Sequence, residues 1–160
     1  MFPEFFSFQL ADSIRIALPL AHVEKIIQIP QKQICPLPGI APYWAGVANY
    51  QGSLLWILDS EQFFNLIQER SFKKTNWTVI VVTFQTSEIR RRIAISVKAL
   101  NGIISVDLTA SSHSSFFPLL PQFQSLFSSS IIYENELLLV LETEALFTSL
   151  STPNLSFIDV

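Results

Sequence analysis

Glycine is scarce in this sequence: only Gly39, Gly46, Gly52 and Gly102 occur in 160 residues. A glycine-rich phosphate-binding loop therefore cannot be built, and no G-x-S-x-G nucleophile elbow is present. One cysteine, Cys35, rules out an intrachain disulfide framework, and the two histidines, His22 and His113, have no cysteine or carboxylate at metal-ligand spacing. Charge is also thin, at 14% of residues with a net charge of −3. That balance excludes general nucleic-acid binding, which needs a basic face to displace counterions from phosphate. The longest apolar runs, Leu54 to Leu58 and Leu137 to Leu141, are five residues long, against the roughly 20 that a spanning helix needs. Met1-Phe2-Pro3-Glu4 lacks the basic flank and apolar stretch of a secretory signal. The expectation is a cytoplasmic protein with no membrane insertion, no metal and no cofactor.

Hydrophobic residues, by contrast, make up 49% of the chain, with 14 phenylalanines among them. A chain of this length can bury a substantial core, and the surplus of apolar side chains suits a surface that binds partners. The one basic run, Arg90 to Arg92, is short and reads as a solvated strand edge or hairpin. The carboxylate pairs Glu134/Glu136 and Glu142/Glu144 flank a strand and open a helix, where solvation and helix-dipole compensation explain them better than acid–base catalysis does. Cys35, between Ile34 and Pro36 with no cation nearby in sequence, reads as an inert small hydrophobe. His22, on an apolar turn, reads as an ordinary side chain at the surface or core edge. Nothing in this inventory converges on an enzyme.

A repeat is written into the chain at two points. Arg15 to Ile26 aligns with Arg92 to Ile103 at an offset of 77 with four identities in twelve, and Ser53 to Phe64 aligns with Glu136 to Phe147 at an offset of 83 with five. The offsets are nearly equal and occur in the same order, as a duplicated unit requires. The six extra residues fit between Ser105 and Glu134, because lengthening a surface loop costs little closure entropy.

Each half is rich in strand signals. Phe6 to Leu10, Ile14 to Leu18, Trp77 to Phe84 and Arg92 to Val97 are short β-branched, aromatic and aliphatic runs bounded by Ala11-Asp12-Ser13 and Thr86-Ser87-Glu88. The continuous runs Leu54 to Leu58 and Leu137 to Leu141 read as strands covered on both faces. Each ends in an acid and a hydroxyl, Asp59-Ser60 and Glu142-Thr143, suited to start a short helix; Phe63, Leu66 and Ile67 then fall on one helical face. Strands closed by one short helix, done twice, predict an all-β protein of two paired small barrels. Lobe 1 is expected at about 14–67 and lobe 2 at about 77–150, with an N-terminal strand at 5–10, a polar connection from Gln68 to Asn76 and a tail at 151–160. The stretch Ser111 to Ser130, with its phenylalanines, is expected to pack on the body.

Three of the four glycines cluster in Pro38-Gly39-Ile40-Ala41-Pro42-Tyr43-Trp44-Ala45-Gly46-Val47-Ala48-Asn49-Tyr50-Gln51-Gly52. With the apolar strand that ends at Asp59, this segment resembles the signature of CheW-like coupling proteins, in which G-V-x-N-x-R-G leads into an apolar strand and an aspartate. Gly46, Val47, Asn49, Gly52 and Asp59 match that pattern, Val23 and Ile26 match the family's V-x-E-I segment, and Trp77 to Ile103 matches the strand pair that opens its second lobe. The resemblance spans roughly Phe5 to Leu150. It implies two SH3-like five-stranded barrels, no catalysis, and a role as an adaptor in a bacterial two-component chemosensory system. The implied partners are a chemoreceptor cytoplasmic tip, received between the lobes, and the regulatory domain of a CheA-like histidine kinase. By position, Val23, Lys25, Gly46, Asn49, Gln51 and Gly52 are the expected receptor-side contacts, with Val79, Ala94 and Ile103 facing the groove from the second lobe.

The chain departs from the family pattern where charge is usual: Lys25 replaces a glutamate, Gln51 an arginine and Lys98 an aspartate. Losing the first two together removes both members of an ion pair. This is compatible with folding, whereas stripping one member of a buried pair costs about 3–5 kcal/mol. The alternative expectation is a degenerate barrel that self-associates or binds another protein without coupling a receptor.

Overall fold

The computed structural model describes residues 2–11, 14–66, 75–109 and 117–150. Among the described residues ten strands form two five-stranded sheets. In chain order the strands are β1 (Glu4–Ala11), β2 (Ile14–Pro19), β3 (Val23–Pro30), β4 (Trp44–Tyr50), β5 (Ser53–Leu58), β6 (Asn76–Gln85), β7 (Arg90–Ser96), β8 (Ala99–Ser105), β9 (Phe127–Tyr133) and β10 (Glu136–Leu141). Two short helices follow the apolar strands, α1 (Ser60–Phe63) after β5 and α2 (Thr143–Ser149) after β10. The Asp59 carboxylate accepts the Gln62 N–H at 3.4 Å, as an N-cap should, while Glu142 occupies the same position without a side-chain cap. Leu66 lies beyond the end of α1 and Ile67 outside the described residues.

Strands β3 to β7 form one lobe, the inner lobe, in the order β3-β6-β7-β5-β4; the outer lobe is β8-β1-β2-β10-β9. This corrects the expected division at 14–67 and 77–150. Strand β2 belongs with the C-terminal strands, and β6 and β7 belong with β3 to β5, so each lobe takes its first hairpin from the other repeat. The physical reason lies in the pairing. β2 runs parallel to β10, with Ile16 opposite Leu139, and β7 runs parallel to β5, with Ile93 opposite Trp56. Parallel neighbours need a long crossover rather than a tight hairpin, and the intervening repeat supplies it.

The two repeats share their register, except for a bulge at Leu10 in β1 that has no counterpart in β6. Ile16 and Ile93 correspond at offset 77, Leu139 and Trp56 at offset 83, and they meet as equivalent pairs. A one-residue bulge sits at Glu24 in β3 and at the equivalent Asn101 in β8. Both hairpins after β4 and β9 turn through two residues of positive φ, Gln51 and Gly52 in one, Glu134 and Asn135 in the other, the conformation of a type I′ turn.

Alternation on strands buried on both faces divides the apolar side chains among three clusters. Phe6, Phe8, Ile16, Leu18, Leu139 and Leu141 from the outer lobe meet Trp56, Leu58, Ile80, Val82, Ile93 and Ile95 from the inner lobe in a shared central core. Val79, Val81, Ala94, Leu55 and Ile57 fill the inner lobe. Ala17, Ile104, Ile131, Leu138 and Val140 fill the outer one. Phe123 and Phe127, from the phenylalanine-rich stretch, pack on Phe64 of the α1 region, so the described part of that stretch does lie on the body.

Candidate protein-contact surface

The inner lobe closes where the chain after β3 crosses β4. Cys35 and Val47 exchange backbone hydrogen bonds of 2.8 and 2.9 Å. Gly46 adopts φ +143°, and a Cβ there would stand 2.3 Å from the Cys35 carbonyl oxygen. Gly46 is buried, so its place in the motif comes from this backbone crossing and not from touching a partner. The Cys35 side chain is exposed.

Lys25, Asn49, Gln51 and Gly52 are exposed, and Val23 is half-buried. Asn49 holds the hairpin, its Oδ1 accepting the Gly52 N–H at 3.1 Å. Arg92 ties this hairpin to β3: its guanidinium carbon lies 5.2 Å from the centre of the Tyr50 ring, and its Nη1 donates to Glu24 Oε2 at 3.3 Å. Arg90 donates to the other Glu24 oxygen at 3.1 Å. The bulge leaves Glu24 without a cross-strand partner residue, which frees its side chain to turn toward both arginines. Thus Val23, Lys25, Asn49, Gln51 and Gly52 are gathered along one rim by three residues, Glu24, Tyr50 and Arg92, that the motif comparison passed over. The signal was present: Arg15 and Tyr133 are their equivalents at offsets 77 and 83, and they form the same stack at 5.5 Å in the outer lobe.

Val79 and Ala94 are fully buried among inner-lobe side chains, so they cannot face a groove. Their neighbours Ile80, Ile93 and Ile95 point to the central core instead. Ile103 pairs with Phe6, a central-core residue, and is 58% exposed at the edge of the outer sheet. Lys98 is exposed.

The basic run beside this rim is not a free edge. β7 lies between β6 and β5, and Arg91 donates to the Phe147 carbonyl at 3.1 Å while stacking on its ring. Burial lowers the Arg91 pKa from its usual value. His22, in the turn between β2 and β3, shares a hydrogen bond of 2.7 Å with Thr143 Oγ1 at the start of α2, a second tie on that helix beside the one from Arg91. His113 lies outside the described residues.

Arg15 is the more deeply set of the two equivalent arginines. It donates to Ser7 Oγ at 2.6 Å and to Glu136 at 3.0 Å, and Ser7 is fully buried. Arg15→Ala is therefore expected to cost about 2 kcal/mol, since it orphans a buried hydroxyl as well as losing the stack. Arg92→Ala, losing a surface pair and a stack, should cost about 1 kcal/mol. Urea unfolding of the two variants measures the difference.

Among the described residues no group of three His, Cys, Asp or Glu stands close enough to hold a metal ion, and no helix is long and apolar enough to cross a membrane. A cavity between the lobes, lined by Phe8, Leu58, Ser60, Ile95 and Leu146 among others, leaves about 10 Å³, which holds no more than a water.

The fold is that of a protein of two five-stranded β-lobes, with an exposed, braced rim on the inner one. The CheW-like domain matches residues 4–151: the chain belongs to the CheW-like domain family, a family of chemotaxis scaffold proteins. Its fold is similar to that of the scaffolding protein CheW from Thermoanaerobacter tengcongensis, with a TM-score of 0.75 at 16% identity, covering 97% of this chain and 99% of that one. Among curated proteins, none matches the sequence.

Proposed function

We propose that this chain is a non-catalytic cytoplasmic adaptor that couples a chemoreceptor tip to the regulatory domain of a CheA-like histidine kinase, in a system controlling chemotaxis, phototaxis or pilus motility. The observation that carries this reading is the inner-lobe rim. Lys25, Asn49, Gln51 and Gly52 are exposed there, and Arg92 braces both segments that bear them. A rigid, braced, solvent-facing set of side chains is what a contact surface needs if it is not to lose its affinity to ordering. Lys25 and Gln51 stand where the family pattern has a glutamate and an arginine, so the receptor that fits this rim differs in charge from the usual one. Ile103 extends the contact from the outer lobe.

A pull-down with the full chain as bait tests the reading, using the receptor tips and the CheA-like regulatory domain of the source organism as prey. Recovery of both in one complex is the expected result. Recovery of neither sinks the coupling role.

A further inference from the structure

The described chain ends at Leu150, directly after α2. Close to that end, the Phe147 carbonyl accepts the Arg91 hydrogen bond of 3.1 Å and the Phe147 ring stacks on Phe84. The helix therefore delivers the chain to the part of the inner lobe where β6 turns into β7. Apolar side chains stand open around this exit. Trp56 and Ile93 pair across the parallel strands β5 and β7, and Leu54 and Arg91 stand two residues before them on the same face. Leu54 is 50% exposed, and Ile89, between β6 and β7, is 58% exposed. Trp56 is buried on this face, and its indole N–H has no hydrogen-bond acceptor among the described residues. A buried donor without an acceptor is rare enough to need an explanation.

Ten residues follow Leu150. Ser151 to Val160 include Leu155, Phe157, Ile158 and Val160, one carboxylate, Asp159, and no cation. The end of the lobe that they reach first carries Arg90, Arg91 and Arg92 against Glu24 and Glu88, in a chain whose net charge is −3. Five residues span about 17 Å when extended, enough for Leu155 to pass Arg91 and reach Leu54 on the adjoining strand, about 4.8 Å further.

We infer that residues 151–160 dock on this patch of their own chain. Leu155 and Phe157 lie over Leu54 and Ile89, Asp159 faces the arginines, and a backbone carbonyl of the segment accepts the Trp56 indole N–H. Patch and segment each lack a cover for their apolar side chains, and each supplies the other's. The segment is tethered, so its effective concentration is about millimolar, and a contact of a few side chains is populated without high affinity. Leu54 pairs with Asn49, so the seated segment borders the rim and closes Leu54 to any partner. The docking does not rest on the coupling role.

A nitroxide spin label at position 156 tests this, on the isotopically labelled full chain carrying C35S and S156C so that the label has one attachment point. Paramagnetic broadening should be strongest at the Leu54 and Ile89 amides and at the Trp56 indole N–H. It should be weak at the Trp77 indole, which donates to Gln31 at the opposite end of β6. Adding L155A and F157A should weaken docking about tenfold or more and restore the broadened signals, since both side chains lose their buried surface. Broadening that is absent, or spread evenly over the surface, overturns the proposal. So does broadening that survives L155A and F157A. A final control mixes isotopically labelled chain without the nitroxide with unlabelled chain that bears it. Broadening at the patch in that mixture means that the segment seats on a second copy, and it overturns the contact within one chain.

Discussion

Gly46→Ala is expected to destabilise the protein by about 3–5 kcal/mol, lowering its Tm by roughly 10 °C. Two effects add. The φ of +143° is one that L side chains rarely adopt, and the new methyl would lie 2.3 Å from the Cys35 carbonyl oxygen and 3.0 Å from Pro36 Cα. Both obstacles are backbone at the closure of the inner lobe, so no side-chain rotation relieves them. Gly52→Ala is the contrasting variant. Gly52 also has positive φ, but nothing stands within 4 Å of its added Cβ, so only the left-handed conformation is penalised, by about 1 kcal/mol. Thermal melts of both variants separate a glycine required by a backbone crossing from one required by a turn. Equal losses would contradict this assignment.

Phe8→Ala should cost about 3–5 kcal/mol and should unfold both lobes together. Phe8 is 1% exposed and lies in β1, on the outer-lobe sheet, with its side chain in the core the two lobes share. All three tryptophans, Trp44, Trp56 and Trp77, lie in inner-lobe strands. Tryptophan fluorescence therefore reports the lobe that does not contain the substitution. Because each lobe takes its first hairpin from the other repeat and both bury side chains in the central core, the fluorescence and far-ultraviolet dichroism midpoints should fall by the same amount. An unshifted fluorescence midpoint, with dichroism alone destabilised, would show that the lobes unfold separately.

The duplication and six of the ten strands could be read from the residues, because Ile14 to Leu18 alternates and Leu54 to Leu58 and Leu137 to Leu141 are continuous and bounded by polar residues. The remaining strands were harder to see. β3 ends in Pro30, β4 contains Gly46, β8 contains Gly102 and β9 runs through three serines, each a residue type depleted in strands or ambiguous there. The exchange of hairpins had no signal at all: a repeat offset says which residues are equivalent but not which copy they pair with.

The site was legible in part for related reasons. Lys25, Asn49, Gln51 and Gly52 lie on a polar, half-solvated edge, where residue type reports exposure. Val79 and Ala94 lie in runs with apolar side chains on both faces, where nothing in the pattern says which barrel wall a side chain joins. Arg92 and Glu24 were missed because their partnership is long-range, joining β7 to a bulge in β3. The equivalence of Arg15 with Arg92, and of Tyr133 with Tyr50, was the clue that both arginines brace a hairpin.

The central claim, that this protein works through contacts on the inner-lobe rim, is tested most directly by titrating the isotopically labelled full chain with the receptor tip and then the kinase regulatory domain, following backbone amide shifts. The account expects the receptor tip to move Val23, Lys25, Asn49, Gln51 and Gly52 together with Ile103, while the buried Val79 and Ala94 stay in place until the rim is saturated. Shifts confined to other surfaces, or none with either partner, would contradict it.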